Sequence, residues 1–478
     1  MINFVNVKNF AFSLYNFLTT CLILQRMPKR RQSYIIISNM TQQKQLTTDA
    51  IAVLRANDRG IYTVPAAEIY PHQWLWDSCF VAIGQRHYDV DRAKTEILSL
   101  LRGQWSNGMI PHMIFASDSQ WRKHQNIWQS WVSPLSPDDV LTSGITQPPM
   151  LAEAIVRIGE KLDLTERRSW YRQTFPSLLR YHQWLFAERS PHAEGLVLQI
   201  HPWETGMDNT PPWMKILHEH LLPTWVRALR ATRLDKLVNV FRQDIRHSSN
   251  AERFDTVESL ALFDIQRRLR RKQYQTDRAL SHSMFAIEDL AFNCIFIRAN
   301  DHLLDIAKTI RADIPKEFLR QTQLAKKALE DLWDPYANQY FSRDFITHKL
   351  IKEPSVAALL PLYAGCISKE RAAALVKTIE SEHVFGPAFP LPSVPLDSSW
   401  FNPVRYWQGP TWMNINWLII DGLRRYGYKD HAAALVEISL ELVQNGGFAE
   451  YFNPITGEAL GASDFSWTAA LTLDFLQK

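Results

Sequence analysis

TWMNINWLIIDGLRRYG (411–427) runs directly into YKDHAAALVEISLELVQNGG (428–447). In both strings apolar residues recur every three or four positions, the period of a helix that buries one face. Gly427 and Gly446-Gly447 follow the periodic runs and read as stop signals. The same spacing appears in DRAKTEILSLLRG (91–103), QPPMLAEAIVRIGEKL (147–162), SWYRQTFPSLLRYHQWLFAER (169–189), SHSMFAIEDLAFNCIFIRANDHLL (281–304), EFLRQTQLAKKALEDLW (317–333) and KERAAALVKTIESE (369–382). SVAALLPLYAG (355–365) is apolar around much of its circumference, which predicts a helix buried on two sides. Alternating patterns are scarce, with IYTVPA (61–66) and GLVLQI (195–200) the best strand candidates. About a dozen helices with no low-complexity linker predict one all-α domain over 40–478. No repeat of fixed length is present, as an open solenoid would require. A closed double ring of helices needs none, and it gathers the irregular connections at a rim.

The 478 residues are 46% hydrophobic and 21% charged, which excludes a disordered or fibrous chain. Only 17 are Gly, which argues against a glycine-rich nucleotide-binding protein. Trp is over-used, at 17, and indoles stack on sugar rings as well as filling cores. The net charge is +4, but Lys8, Arg26, Lys29, Arg30 and Arg31 lie within residues 1–40, which hold no acid. The remainder is slightly acidic, so no nucleic-acid partner is expected. Cys21, Cys79, Cys294 and Cys366 form no CxxC pair, which predicts a reducing, cytoplasmic setting without structural zinc. FAFSLYNFLTTCLIL (10–24) is short for a membrane span and is followed by RMPKRRQ rather than a cleavage site. Residues 1–39 are expected to be a poorly structured extension, with Met40 an alternative start; no membrane partner is expected unless that segment is an anchor.

Function is concentrated in irregular segments: EIYPHQWLWDSCF (68–80), LQIHPWETGMDNTPPW (198–213), RYWQGPTWMNINW (405–417) and GGFAEYFNPITGEALGASDFSWTAA (446–470). They mix Trp, Pro, Gly and carboxylates, a mixture a structural loop rarely needs. GxSxG, Walker A and GxGxxG motifs are absent. His218-Glu219-His220 lacks HExxH spacing, so no metal and no cofactor are expected. Two acids flanking a glycosidic bond, beside stacking indoles, are the equipment of glycoside hydrolysis.

The strings QWLWDSCF, HPWETGMDNTP, YWQGPTWMNINW and EYFNPITGE resemble glycoside hydrolase family 63 and occur in the family's order. The nearest likeness is to its short mannosylglycerate and glucosylglycerate hydrolases. The resemblance implies an (α/α)6 barrel with its pocket at one end, and hydrolysis with inversion of an α-linked glucose or mannose. It assigns Asp208 as general acid and Glu450 as general base. Tyr70, Trp74, Trp76 and Asp77 correspond to the segment that grips the inner sugar, Gln147 to a substrate-contacting glutamine, and Gly206 to the backbone beside the acid. Tyr406 and Trp407 correspond to the aromatic pair at the pocket wall. An inverting pair should stand about 6.5–9.5 Å apart to admit a water. Asp77 reads as a hydroxyl acceptor or an N-cap, and Glu204 and Glu458 are understudies for the two acids.

In the glycerate-ester relatives an Arg after the acid motif pairs with the glycerate carboxylate. Here the stretch is QDIRHSSNAERF (243–254), and Arg246, with Arg253 as alternate, is the expected counterpart. WRKHQNIWQSW (121–131) is also richer in bases than the family's loop. An oligosaccharide α-glucosidase therefore stays open. So do two other classes: a helical-barrel epimerase or isomerase using His72, His112 or His201, and a non-catalytic sugar-binding protein. The oligomeric state, homo-oligomer included, is left open.

Overall fold

The computed structural model describes residues 29–118, 121–218, 256–280 and 285–477. Among these residues twelve helices build the ring. They are α1 (Lys29–Ala56), α2 (Leu75–Gln85), α3 (Val90–Arg102), α4 (Leu151–Gly159), α5 (Leu164–Arg189) and α6 (Leu290–Ile310). Then follow α7 (Lys316–Ala328), α8 (Pro361–Ala364), α9 (Lys369–Glu380), α10 (Met413–Arg425), α11 (Lys429–Gly446) and α12 (Ser466–Leu476). The even-numbered helices pack in sequence, α2 on α4, α6, α8, α10 and α12 in turn, and α12 closes the ring on α2. The odd-numbered helices form an outer shell: α1 covers α12, α3 covers α2 and α4, and α5 covers α4 and α6. On the other side α7 covers α6, α9 covers α8, and α11 covers α10 and α12. This is an (α/α)6 barrel.

The two shells read differently in sequence because they face different neighbours. Every residue of α2 is buried, as are residues 466–475 of α12, since an inner helix touches both ring neighbours and the shell outside it. Outer α3 buries only Ala93, Glu96, Ile97, Ser99 and Leu100. Outer helices α3, α5 and α9 are N-capped by Asp89, Asp163 and Ser368.

Several expectations are corrected. IYTVPA and GLVLQI form no strands; Thr63, Ala66 and Gln199 make only isolated bridges. The 355–365 run is a 3-10 turn, Val356–Leu359, followed by the short α8, because Pro361 has no N–H to continue the first piece. Of the 281–304 run, residues 285–289 are not helical and α6 begins at Leu290, capped by Asp289, because Ile287–Glu288 pair with Arg343–Asp344.

One apolar core fills the ring, from Leu46 in α1 to Phe475 in α12. A smaller cluster of Trp213, Met214, Leu217, Val257, Ala261, Leu262, Phe285 and Ile287 lies under the excursion between α5 and α6. Trp203 and Ile265 pack against both clusters. The ring is also tied by buried polar groups. Arg86 meets Asp474 at 2.7 Å, Arg157 joins Glu153 at 2.6 Å and Asp421 at 2.9 Å, and Tyr363 donates to Glu153. Cys79, Cys294 and Cys366 are free thiols. Among the described residues no helix is long and apolar enough to cross a membrane.

Candidate active site

The described residues of the expected site fall in outer-to-inner connections or the first turn of an inner helix. Tyr70 and Trp74 precede α2, and Asp77 lies in its first turn. Gln147 precedes α4, Gly206 and Asp208 lie between α5 and α6, Tyr406 and Trp407 precede α10, and Glu450 precedes α12. The ring therefore brings them to the end where inner helices begin. N-caps Trp74, Met150, Trp412 and Phe465 make no side-chain cap bond there. The positive ends of these helix dipoles favour negative charge at this rim.

Glu450 is almost fully buried. The Tyr70 hydroxyl donates to its Oε1 at 2.9 Å, and the Ala462 N–H donates to its Oε2 at 3.0 Å. Its own N–H donates to the Ala462 carbonyl at 2.8 Å, so main chain and carboxylate are fixed to one residue. Each carboxylate oxygen thus accepts one fixed hydrogen bond. Gly461 makes this clamp feasible: at φ +72°, any Cβ would sit 2.6 Å from Glu450 Oε2.

Asp77 is also buried, and its N-terminal helical position is N3 rather than the cap, which is Trp74. Burial pushes its carboxyl well above the ordinary carboxylate range, outweighing the hydrogen bond to its own N–H, and the charges of Glu450 and Asp208 push it further. Those last two effects place all three carboxylates in one electrostatic neighbourhood. The raised pKa favours the neutral carboxyl, which can donate to a sugar hydroxyl as well as accept from one.

Asp208 is half-buried, in a turn closed by Thr210 N–H to the Met207 carbonyl at 3.1 Å. Just before it, Gly206 has φ +75°, and a Cβ there would meet the Trp76 ring at 2.8 Å and Pro148 at 3.2 Å. The acid loop thus rests directly on Trp76 and on the residue after Gln147. Gln147 is buried, and among the described residues its Oε1 has no partner; nor does the buried Nε1 of Trp74. An acceptor and a donor therefore stand ready where buried polar groups are ordinarily satisfied.

The aromatic wall is more closed than a stacking platform. Trp76 and Trp407 are buried, and Trp407 stacks on Trp412 with ring centroids 3.9 Å apart and planes within 1°. Tyr406 meets Trp412 edge-on at 5.2 Å, and Trp412 packs on Tyr451 at 4.6 Å, which joins this wall to the strand beside Glu450. Trp74, half-buried, is edge-on to Tyr70 at 6.1 Å.

Both understudies are excluded from the proton work. Glu204 is buried and held by Arg189 through two bonds of 2.9 and 2.7 Å, and it accepts from Ile200 and Thr146 N–H groups. Glu458 is exposed on the hairpin after Glu450. The histidines are spent on structure. His72 accepts from Ala116 N–H and faces His124 at 2.8 Å, and burial together with His124 pulls it down to about 3. His112 bonds Ser143 and is pulled well down by burial and by its histidine neighbours. His201 accepts from Trp203 N–H, and burial lowers it to about 3. Among the described residues no cluster of His, Cys, Asp and Glu could hold a metal. Arg246 and Arg253, like Glu219 and His220, lie outside the described residues.

Residues 70–468 match the profile of the mannosylglycerate hydrolase MGH1-like glycoside hydrolase domain. A mannosylglycerate hydrolase of Thermus thermophilus is 39% identical over 433 residues, 89% of this chain and 99% of the relative. The chain belongs to glycoside hydrolase family 63. A further member, a glucosylglycerate hydrolase of Mycolicibacterium hassiacum, is 32% identical over 90% of this chain and 98% of its own. A family 63 mannosylglycerate hydrolase from a second Thermus thermophilus strain, crystallised with Tris and D-glycerate, superposes with a TM-score of 0.80 at 37% identity, covering 91% of this chain and all of that one. The chain is thus an inverting glycoside hydrolase, as the family is. Three residues important to the geometry escaped the sequence reading: Asn209, Gly461 and Trp412. Each lies inside a quoted motif, but nothing in residue type marks a glycine that clears space for a carboxylate.

Proposed function

We propose that the chain removes an α-linked glucose or mannose from a glycerate-type aglycone, with Asp208 as general acid and Glu450 as general base. The observation that carries this reading is the shared neighbourhood of Asp77, Asp208 and Glu450, with Glu450 clamped by the Tyr70 hydroxyl and the Ala462 N–H. Asp208, at intermediate exposure, is suited to meet a leaving oxygen, and doubly hydrogen-bonded Glu450 to polarise a water from the other face. Tyr70, Trp74, Trp76, Asp77, Gln147, Gly206, Tyr406 and Trp407 form the inner sugar site, and Arg246 takes the aglycone carboxylate. The relatives' named substrates support the glycerate aglycone. Residues 40–478 act as one catalytic unit, and three unpaired cysteines favour a reducing, cytoplasmic setting.

The test compares kcat/KM on glucosylglycerate, mannosylglycerate and neutral α-glucosides. Glycerate-linked sugars should be preferred, and Arg246→Ala should abolish the preference while sparing neutral glycosides. Equal turnover of all three would remove the aglycone assignment.

A further inference from the structure

Asn209 follows the acid candidate and is fully buried. Its Oδ1 accepts from the Trp407 N–H at 2.7 Å, and its carbonyl accepts from Gln408 Nε2 at 2.8 Å. The donor is a main-chain N–H, so the acceptor must be the amide oxygen; a flipped amide would set donor against donor. These two bonds join the acid loop to a segment some 200 positions away. That segment is itself rigid: Trp407 is stacked on Trp412 at 3.9 Å, and the Asn402 N–H donates to the Gln408 carbonyl at 2.7 Å. The front of the acid turn is anchored separately, by Met207 N–H to Thr205 Oγ1 and by Trp213 Nε1 to the Met207 carbonyl. Asn209 supplies the anchor behind Asp208.

We infer that Asn209 is a positioning residue, which latches the acid loop to the rigid Trp407–Trp412 stack so that this stack sets where Asp208 stands. This inference rests on the reading of Asp208 as general acid. A shift of about 1 Å in a reacting group costs on the order of 10²-fold in rate. The loss should appear only where the leaving group needs a proton. A nitrophenolate departs without one, whereas a glycerate or glucose oxygen does not.

The test measures kcat and KM for Asn209→Ala and Gln408→Met on a sugar–glycerate substrate and on the matching nitrophenyl α-glycoside, with Asp208→Asn as reference. Asn209→Ala should lose about 10²-fold in kcat on the glycerate substrate and less than about tenfold on the nitrophenyl glycoside, with KM little changed. Gln408→Met, which keeps the Trp407 bond, should show a smaller loss with the same leaving-group dependence. If Asn209→Ala does not fold, Gln408→Met decides alone. Equal losses on both substrates would reduce Asn209 to a packing role and overturn the inference. If Asp208→Asn itself shows no leaving-group dependence, the acid assignment fails instead, so the two failures are distinct.

Discussion

At the scale of single residues, the two carboxylates differ in what holds them. Glu450 is almost fully buried with a donor on each oxygen, and Asp208 stands half-buried in the turn closed by Thr210 N–H to the Met207 carbonyl. Asp208→Asn should cost about 10²–10⁴-fold on substrates with poor leaving groups, and much less on nitrophenyl glycosides. Glu450→Gln should lose activity on both, because water activation does not depend on the leaving group; steady-state kinetics on the two substrates reads the difference. Asp77 carries the opposite prediction. Burial, then Glu450 and Asp208, push its pKa well up, so an amide mimics the neutral carboxyl that this shift favours. Asp77→Asn should retain the thermal midpoint, and its KM for the sugar should rise less than that of Asp77→Ala. A midpoint several degrees lower in Asp77→Asn, read by calorimetry, would mean that the ionised form is the one the fold requires.

At the scale of elements, the clamp at Glu450 is built from connecting turns, one of them at Gly461, rather than from a helix. Gly461→Ala would place a Cβ 2.6 Å from the base and force a φ of +72° on alanine. Backbone strain of about 1–3 kcal/mol is expected in stability, together with a loss of kcat on the order of 10²-fold, because the carboxylate itself must move. An equal loss at the exposed Gly427, whose Cβ would meet nothing, would show that strain alone explains the effect. These turns also mark where the sequence stops being legible. The inner helix at 413–425 announces itself by periodicity, whereas 466–476, buried on every side, begins inside a stretch that reads as irregular; the motifs single out Asp208 and Glu450 as candidates. The interruptions at Pro361 and at Ile287–Glu288 depend on what lies across the ring, which no local pattern records. The same is true of Trp407: its residue type suggests a stacking platform, but its partner is Trp412. Glu204 looks like a second acid until Arg189 is seen beside it.

At the scale of the molecule, the closed ring buries titratable groups that set its response to acid. Burial lowers His72 and His201 to about 3 and His182 to about 4, and pulls His112 well down, from an ordinary 6.5. The unfolded chain takes up these protons first, so stability present above pH 6.5 falls as pH drops towards 4. His72, His182 and His201 each withdraw about 2 kcal/mol by pH 5, and His112 acts in the same direction. Glu153, despite burial, is held well below its ordinary value by His302 and Arg157, so its contribution survives to lower pH and is lost last. The thermal midpoint should therefore fall steeply between pH 6.5 and 5, and a flat midpoint across that window would show that these rings are hydrated in solution. The central claim concerns the end of the ring where the inner helices begin: Asp208 as acid on one face of the sugar, Glu450 as base on the other, and the attacking water between Glu450 and the sugar. The most direct measurement is proton NMR of the first sugar released from an α-linked glucosyl- or mannosylglycerate, recorded before mutarotation. The account predicts the β-anomer first. The α-anomer first, at rates exceeding mutarotation, would contradict it.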